Sequence, residues 1–343
     1  MKELLKEFRD SYLELLLSFV WKQWFSLGVA GYSCNDDNWY IDPEALLIFS
    51  LHIGRYEARL FDEILNWLST NGHLINIQRL KTILKKERFL GSRVIPVVAE
   101  ILAEKTKGKK WKYFIESFPV QNTCENLFLQ KNGQPIEMFG EPEPIFQKYG
   151  FSRGKIQFRT HTQPVRIIKN TGLLFKLRGL FGINARSEIF LYLLVNESGH
   201  PSLIAREIYY AQKTVQDILV EMTNSDITHI MSVGREKHYH LKKDEWLNIL
   251  TYGNKNILWV NWPRFFNALE NIWIKLDEKK FHTLDSLTQS SELRILMKSA
   301  KKQIESSGFG GTLSNESLYL GTEYIEVFIS DIKNLLRKNE KAH

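Results

Sequence analysis

Cysteine is nearly missing from the chain. Cys34 and Cys124 are the only two among 343 residues. Two cysteines make neither a disulfide framework nor a thiolate metal cluster, and they suit a reducing compartment. Long apolar runs are missing as well. The stretch Tyr12–Trp21 is broken by Ser18 and stopped by Lys22, too short to cross a bilayer. The opening Met-Lys-Glu-Leu-Leu-Lys-Glu carries charge of both signs, unlike a secretory leader. The expectation is a soluble cytoplasmic protein with no membrane partner. Catalytic signatures are lacking too. There is no Walker motif, no glycine-rich dinucleotide loop, no G-x-S-x-G and no H-E-x-x-H. Asp36-Asp37 are adjacent carboxylates in a polar loop without further acidic partners and read as solvated. The chain is therefore expected not to be an enzyme and to need no cofactor.

Apolar residues are present in quantity, at 43% of the chain, and nine tryptophans point to helix packing by large side chains. The net charge of +7 is compatible with a polyanionic partner. Leu4, Phe8, Tyr12, Leu15 and Phe19 recur at helical spacing, so residues 2–27 read as one amphipathic helix. In "IDPEALLIFSLHIG" Asp42 can cap a second helix, Pro43 fits its first position and Gly54 ends it. "ARLFDEILNWLSTNG" and the basic "INIQRLKTILKKERF" follow as third and fourth helices. This cluster reads either as an ordinary helical bundle or as a helix-turn-helix-like unit. "KIQFRTHTQPV" alternates as a strand with one polar face. Apolar stripes at Trp262–Leu276 and Tyr324–Leu336 read as helices serving either the core or dimerisation. "EILNWLSTNGH" and "EIFLYLLVNESGH" form a weak internal echo, which chance similarity of two amphipathic helices also explains.

Residues 186–250 carry the most information. "RSEIFLYLLVNESG", "HPSLIAREIYY" and "AQKTVQDILVEMTNS" read as three helices. Residues 227–241 read as a hairpin around Gly234, and a last helix starts near Lys243. This order resembles the winged helices of MarR- and ArsR-type transcriptional regulators. The resemblance rests on Ala205 in the second helix, Thr214-Val215 and Leu219 in the third, and Gly234, Arg235, Tyr239 and Leu241 in the wing. Those regulators often have glycine where this chain has Tyr209 and Asp226. The resemblance covers about 65 residues and implies a DNA-binding regulator with double-stranded DNA as partner. Its third helix would enter the major groove, with Gln212, Lys213, Thr214 and Gln216 at base edges. Arg235 and Lys237 would meet phosphate.

Charge argues against this module binding DNA unaided. Residues 181–245 hold seven Lys/Arg and nine Asp/Glu, which is 7 − 9 = −2. Asp217 sits on the third helix and would repel phosphate. By contrast no acidic residue occurs between Pro144 and Ser187, where nine cations stand, among them Arg153, Lys155 and Arg159. A second basic run, residues 79–112, has eleven Lys/Arg against Glu87, Glu100 and Glu104. These runs are either the phosphate-contacting surface or solvated faces paired with acids elsewhere. His229, His238 and His240 could meet on the hairpin, but no cysteine or carboxylate completes a zinc shell, so no metal is assigned.

The expected fold class is mainly α (α+β), a multi-domain helical protein with a central winged helix-turn-helix. The expected divisions are an N-terminal helical domain (1–112, with or without the second helix-turn-helix-like unit) and a basic connecting segment with short strands (113–179). The winged helix-turn-helix (180–252) and a C-terminal helical domain (253–343) follow. The leading function is a DNA-binding transcriptional regulator, with a homodimer serving two half-sites. The alternative is a protein-interaction scaffold or antitoxin-like protein whose winged helix contacts a protein partner.

Overall fold

The computed structural model describes residues 2–29, 38–105, 109–116, 118–120, 123–158, 164–165, 169–251, 256–311 and 313–337. The chain is mainly helical. Six helices come first: α1 (Lys2–Ser26), α2 (Pro43–Ile53), α3 (Ala58–Asn71), α4 (Ile77–Lys86), α5 (Ile95–Lys105) and α6 (Lys109–Ile115). Two short parallel strands, β1 (Glu125–Asn126) and β2 (Phe151–Ser152), flank α7 (Pro144–Lys148). Then come α8 (Leu173–Phe181), α9 (Ala185–Val195), α10 (Pro201–Ile208), α11 (Gln212–Asn224), the antiparallel pair β3 (His229–Val233) and β4 (Glu236–His240), and α12 (Lys243–Leu250). The chain closes with α13 (Trp262–Asp277), α14 (Lys279–Thr283), α15 (Ser286–Ser307) and α16 (Tyr324–Arg337).

Helix α2 is the centre of this arrangement. Asp42 caps it by accepting from the Ala45 amide at 3.1 Å, Pro43 opens it, and every residue from Pro43 to Ile53 is buried. It packs against α1, α4, α13 and the turn Leu90–Arg93. That turn comes so close that a Cβ on Gly91 would lie 1.9 Å from the Ile48 carbonyl oxygen, so only glycine fits there. Phe49 stacks on Phe266 of α13 at 4.7 Å. Tyr12 of α1 donates to the Leu269 carbonyl at 3.0 Å.

These contacts change the domain division expected from sequence. Helix α13 packs on α1, α2 and α15, so the first and last segments share one apolar core. The stripes offered for dimerisation are spent inside the chain. Trp262, Phe265, Phe266, Leu269, Ile272 and Trp273 are fully buried, and so are Ile325, Phe328 and Ile332 of α16. The expected strand over "KIQFRTHTQPV" is not found in its described part. Lys155–Phe158 are irregular, and the following residues to 163 lie outside the described set. Helix α4 packs on α2 and α6.

A buried polar cluster joins this body to the helices that follow. Arg178 of α8 donates to both Glu44 oxygens at 2.8 Å and to Glu188 Oε1 of α9 at 2.6 Å. Arg79 of α4 donates to Glu44 Oε2 at 2.8 Å, to Asp42 Oδ1 at 2.7 Å and to the Ile208 carbonyl of α10 at 3.1 Å. Asn76 donates its backbone amide to Glu44 and its side-chain amide to the Tyr210 hydroxyl. All five charged residues are at most 4% exposed. Desolvating such charges costs several kcal/mol per ion, and the attraction offsets this only in good geometry. Removing one partner strands the others and costs about 3–5 kcal/mol.

Among the described residues three carboxylates face two guanidiniums in this cluster, and Glu188 Oε2 has no hydrogen-bond partner there. Burial pushes Glu44 up, but Arg178 and Arg79 outweigh it and hold its carboxyl below the usual value. For Glu188 burial wins, helped by the Glu44 charge, and its carboxyl is held above the usual value. A raised carboxyl contributes stability that is complete below the unfolded-state value of about 4.3 and is lost as pH rises through the folded value. Glu188→Gln lacks that dependence. The melting temperature of the variant should therefore rise relative to the parent as pH increases from about 4 to about 8. A difference that stays flat or falls would show that Glu188 is an ordinary ionised partner of Arg178.

Candidate nucleic-acid interface

The segment after α8 builds a surface from short, well-punctuated helices. Asn184 caps α9, accepting from the Arg186 amide at 2.8 Å. Pro201 opens α10, and α10 packs on both α9 and α11. Between α9 and α10, Gly199 exchanges two backbone hydrogen bonds with Tyr239 of β4, each 3.0 Å. A third short strand position therefore lies beside the β3–β4 hairpin.

Tyr209 and Asp226 are the two non-glycine residues with left-handed backbone among those described, at φ 64° and 57°. The left-handed region costs an L-residue about 1–2 kcal/mol. Asp226 is a cheap occupant because a short polar side chain tolerates it. Tyr209 offsets the cost by its side chain. It is 2% exposed, donates its hydroxyl to Glu87 Oε1 at 2.6 Å, and lies 3.3 Å from Asn261 Oδ1. Burial, then the Glu87 charge, keeps the phenol protonated far above its usual range. Asn261 in turn donates to Glu207 Oε2 at 2.9 Å and caps α13. The α10–α11 turn is thus clamped between α4 and the start of α13.

Helix α11 buries Val215, Leu219 and Met222 and exposes Gln212 and Lys213 at its N-terminal end. Thr214 is half-buried. Gln216 departs from expectation. It is half-buried and its amide donates to the Tyr239 hydroxyl at 3.1 Å, so it ties the helix to the hairpin and is not free for base edges. Asp217 is exposed, 3.8 Å from Lys213, which weakens the local positive field. Arg235 and Lys237 are exposed at the hairpin tip. The hairpin histidines pair His229 with His240 across the strands, and His238 lies opposite Met231. Among the described residues no three His, Cys, Asp or Glu converge as metal ligands.

Among its described residues, the acid-free run does not make the positive surface proposed for it. Arg153 is 6% exposed, donates to Asp62 Oδ1 at 2.5 Å, and lies over the rings of Phe128 and Phe146 at 5.2 Å. It is a core guanidinium and cannot reach phosphate. Lys155 is exposed but pairs with Glu141. Arg159 lies outside the described residues. Lys148 pairs with Glu100, Arg186 with Glu221, and Arg178 is in the buried cluster. Lys176 caps the carbonyls of Ile249 and Leu250. The acids missing locally arrive from distant segments.

The cations free to face solvent are elsewhere. Lys85, Lys86 and Arg88, at the end of α4, are exposed, and no ion pair involving them is present among the described residues. The trio lies in the basic run 79–112 noted in the sequence, but only the fold brings it beside the α10–α11 turn. Lys86 Nζ lies 5.4 Å from the Tyr209 ring centre. Comparison with protein-family models, curated proteins and solved structures finds no match to this chain.

The two left-handed residues should respond oppositely to glycine. Asp226→Gly removes strain and one solvent-exposed contact, Asp226 Oδ1 to His229 Nδ1 at 3.6 Å, and should stabilise by up to about 1 kcal/mol. Tyr209→Gly also removes strain of about 1–2 kcal/mol but deletes a buried ring worth about 3–5 kcal/mol, for a net loss of about 1–4 kcal/mol. Chemical denaturation of both variants checks this, and equal responses would remove the claim that the Tyr209 side chain pins the turn.

Proposed function

We propose that the chain is a double-stranded-DNA-binding regulator that presents residues 185–250 as a winged helix, with α11 as the reading helix. The observation that carries the reading is the α9-α10-α11-β3-β4-α12 order with the Gly199–Tyr239 strand pair. Gln212 and Lys213 stand exposed at the start of the helix that such a module lays in the major groove. Lys213 can reach guanine acceptors, Gln212 can pair bidentately with adenine, and Arg235 and Lys237 suit phosphate at the wing.

A second reading, protein recognition, is favoured by one specific feature. Among the described residues strand β3 has a free edge, because β4 pairs with it on one side and with Gly199 on the other. That edge strand exposes Ile230, Met231 and Val233 at 43–47%, without a charge to blunt it.

Selection of duplex oligonucleotides from a random pool separates the readings. A DNA regulator should enrich a shared sequence, and Lys213→Glu should weaken binding to it by roughly tenfold or more. A pool that enriches nothing at roughly 0.1 M salt contradicts the DNA reading.

A further inference from the structure

We infer that the exposed end of α4, at Lys85, Lys86 and Arg88, is a phosphate clamp that holds the DNA backbone beside the start of α11. The inference rests on the DNA reading above and assigns the charge which that reading lacks. The winged-helix segment has more acids than bases, and its basic residues Arg186, Arg206, Lys213 and Lys243 each have a carboxylate nearby. Phosphate neutralisation supplies most non-specific affinity for DNA, so a module of this charge needs cations from outside it.

Three observations put the end of α4 in the right place. The Glu87 carboxylate accepts from the Tyr209 hydroxyl at 2.6 Å, and Tyr209 stands three residues before the first residue of α11. Lys86 lies over the same ring. Arg79, two turns earlier on α4, holds the Ile208 carbonyl at the end of α10. Helix α4 is therefore bonded to the reading unit at both of its ends, so Lys85, Lys86 and Arg88 keep a fixed position relative to Gln212 and Lys213. The negative charge between the lysines and Arg88 is Glu87, and that carboxylate is engaged with Tyr209. A lysine or arginine on the last turn of a helix also complements the helix dipole, which explains the exposed side chains without DNA. The salt dependence of binding separates the two roles.

The test is the slope of log affinity against log salt for a duplex selected by the parent protein, measured by fluorescence anisotropy. For Lys85→Gln/Lys86→Gln/Arg88→Gln the slope should fall by about 0.9 per lost phosphate contact, so by about 2.7 in all. Between about 50 and 200 mM salt the variant should lose roughly 40-fold less affinity than the parent. Lys85→Gln and Arg88→Gln alone should each lower the slope by about 0.9. Lys279→Gln/Lys280→Gln, which neutralises exposed cations of α14, should leave it unchanged. An unchanged slope in the triple variant, or an equal fall in the α14 control, overturns the clamp while leaving the DNA reading standing. Failure of the parent to bind any duplex overturns both.

Discussion

Arg178 sits between Glu44 of α2 and Glu188 of α9 with no exposed side-chain surface, and the rest of the structure is arranged around that contact. A guanidinium without water needs carboxylates in a fork geometry, and α2 and α9 supply them from positions 134 and 10 residues away. Arg79 repeats the device, joining Asp42 and Glu44 to the end of α10. Ion pairs of this kind add little net stability against a well-packed apolar alternative. What they impose is register, because each displaced partner strands a buried charge.

Register matters here because it decides what the chain can present to a partner. The α10–α11 turn is held by Tyr209 on Glu87 and by Tyr210 on Asn76. The N-terminal end of α11 is then fixed relative to α4. On the proposed function, DNA meets a preformed surface made by two segments more than a hundred residues apart in sequence. No hinge between a reading head and a body is needed.

Much of the local structure was legible. Asp42-Pro43, Pro201 and Pro263 mark helix starts by mechanisms that do not depend on the fold. Tyr209 and Asp226, the two left-handed non-glycine residues described, gave no local sign of that backbone. Long-range pairing was not legible. Counting charge along the chain made Arg153 and Arg178 part of a basic surface, because their acids, Asp62 and Glu44, lie 91 and 134 residues away. Gln216 looked free for the same reason, since its partner Tyr239 comes from the hairpin. The shared core of α1, α2 and α13 was hidden because an amphipathic stripe states that a face is buried but not what buries it.

Native-state hydrogen exchange tests the central claim most directly, that buried charge makes the body and the α9–α11 unit one cooperative structure. The slowest amides of α2 and of α11 should exchange with the same opening free energy, equal to that of global unfolding. Amides of α9–α11 that open well below the α2 amides, with α2 still protected, would show that the α9–α11 unit unfolds by itself and would contradict the account.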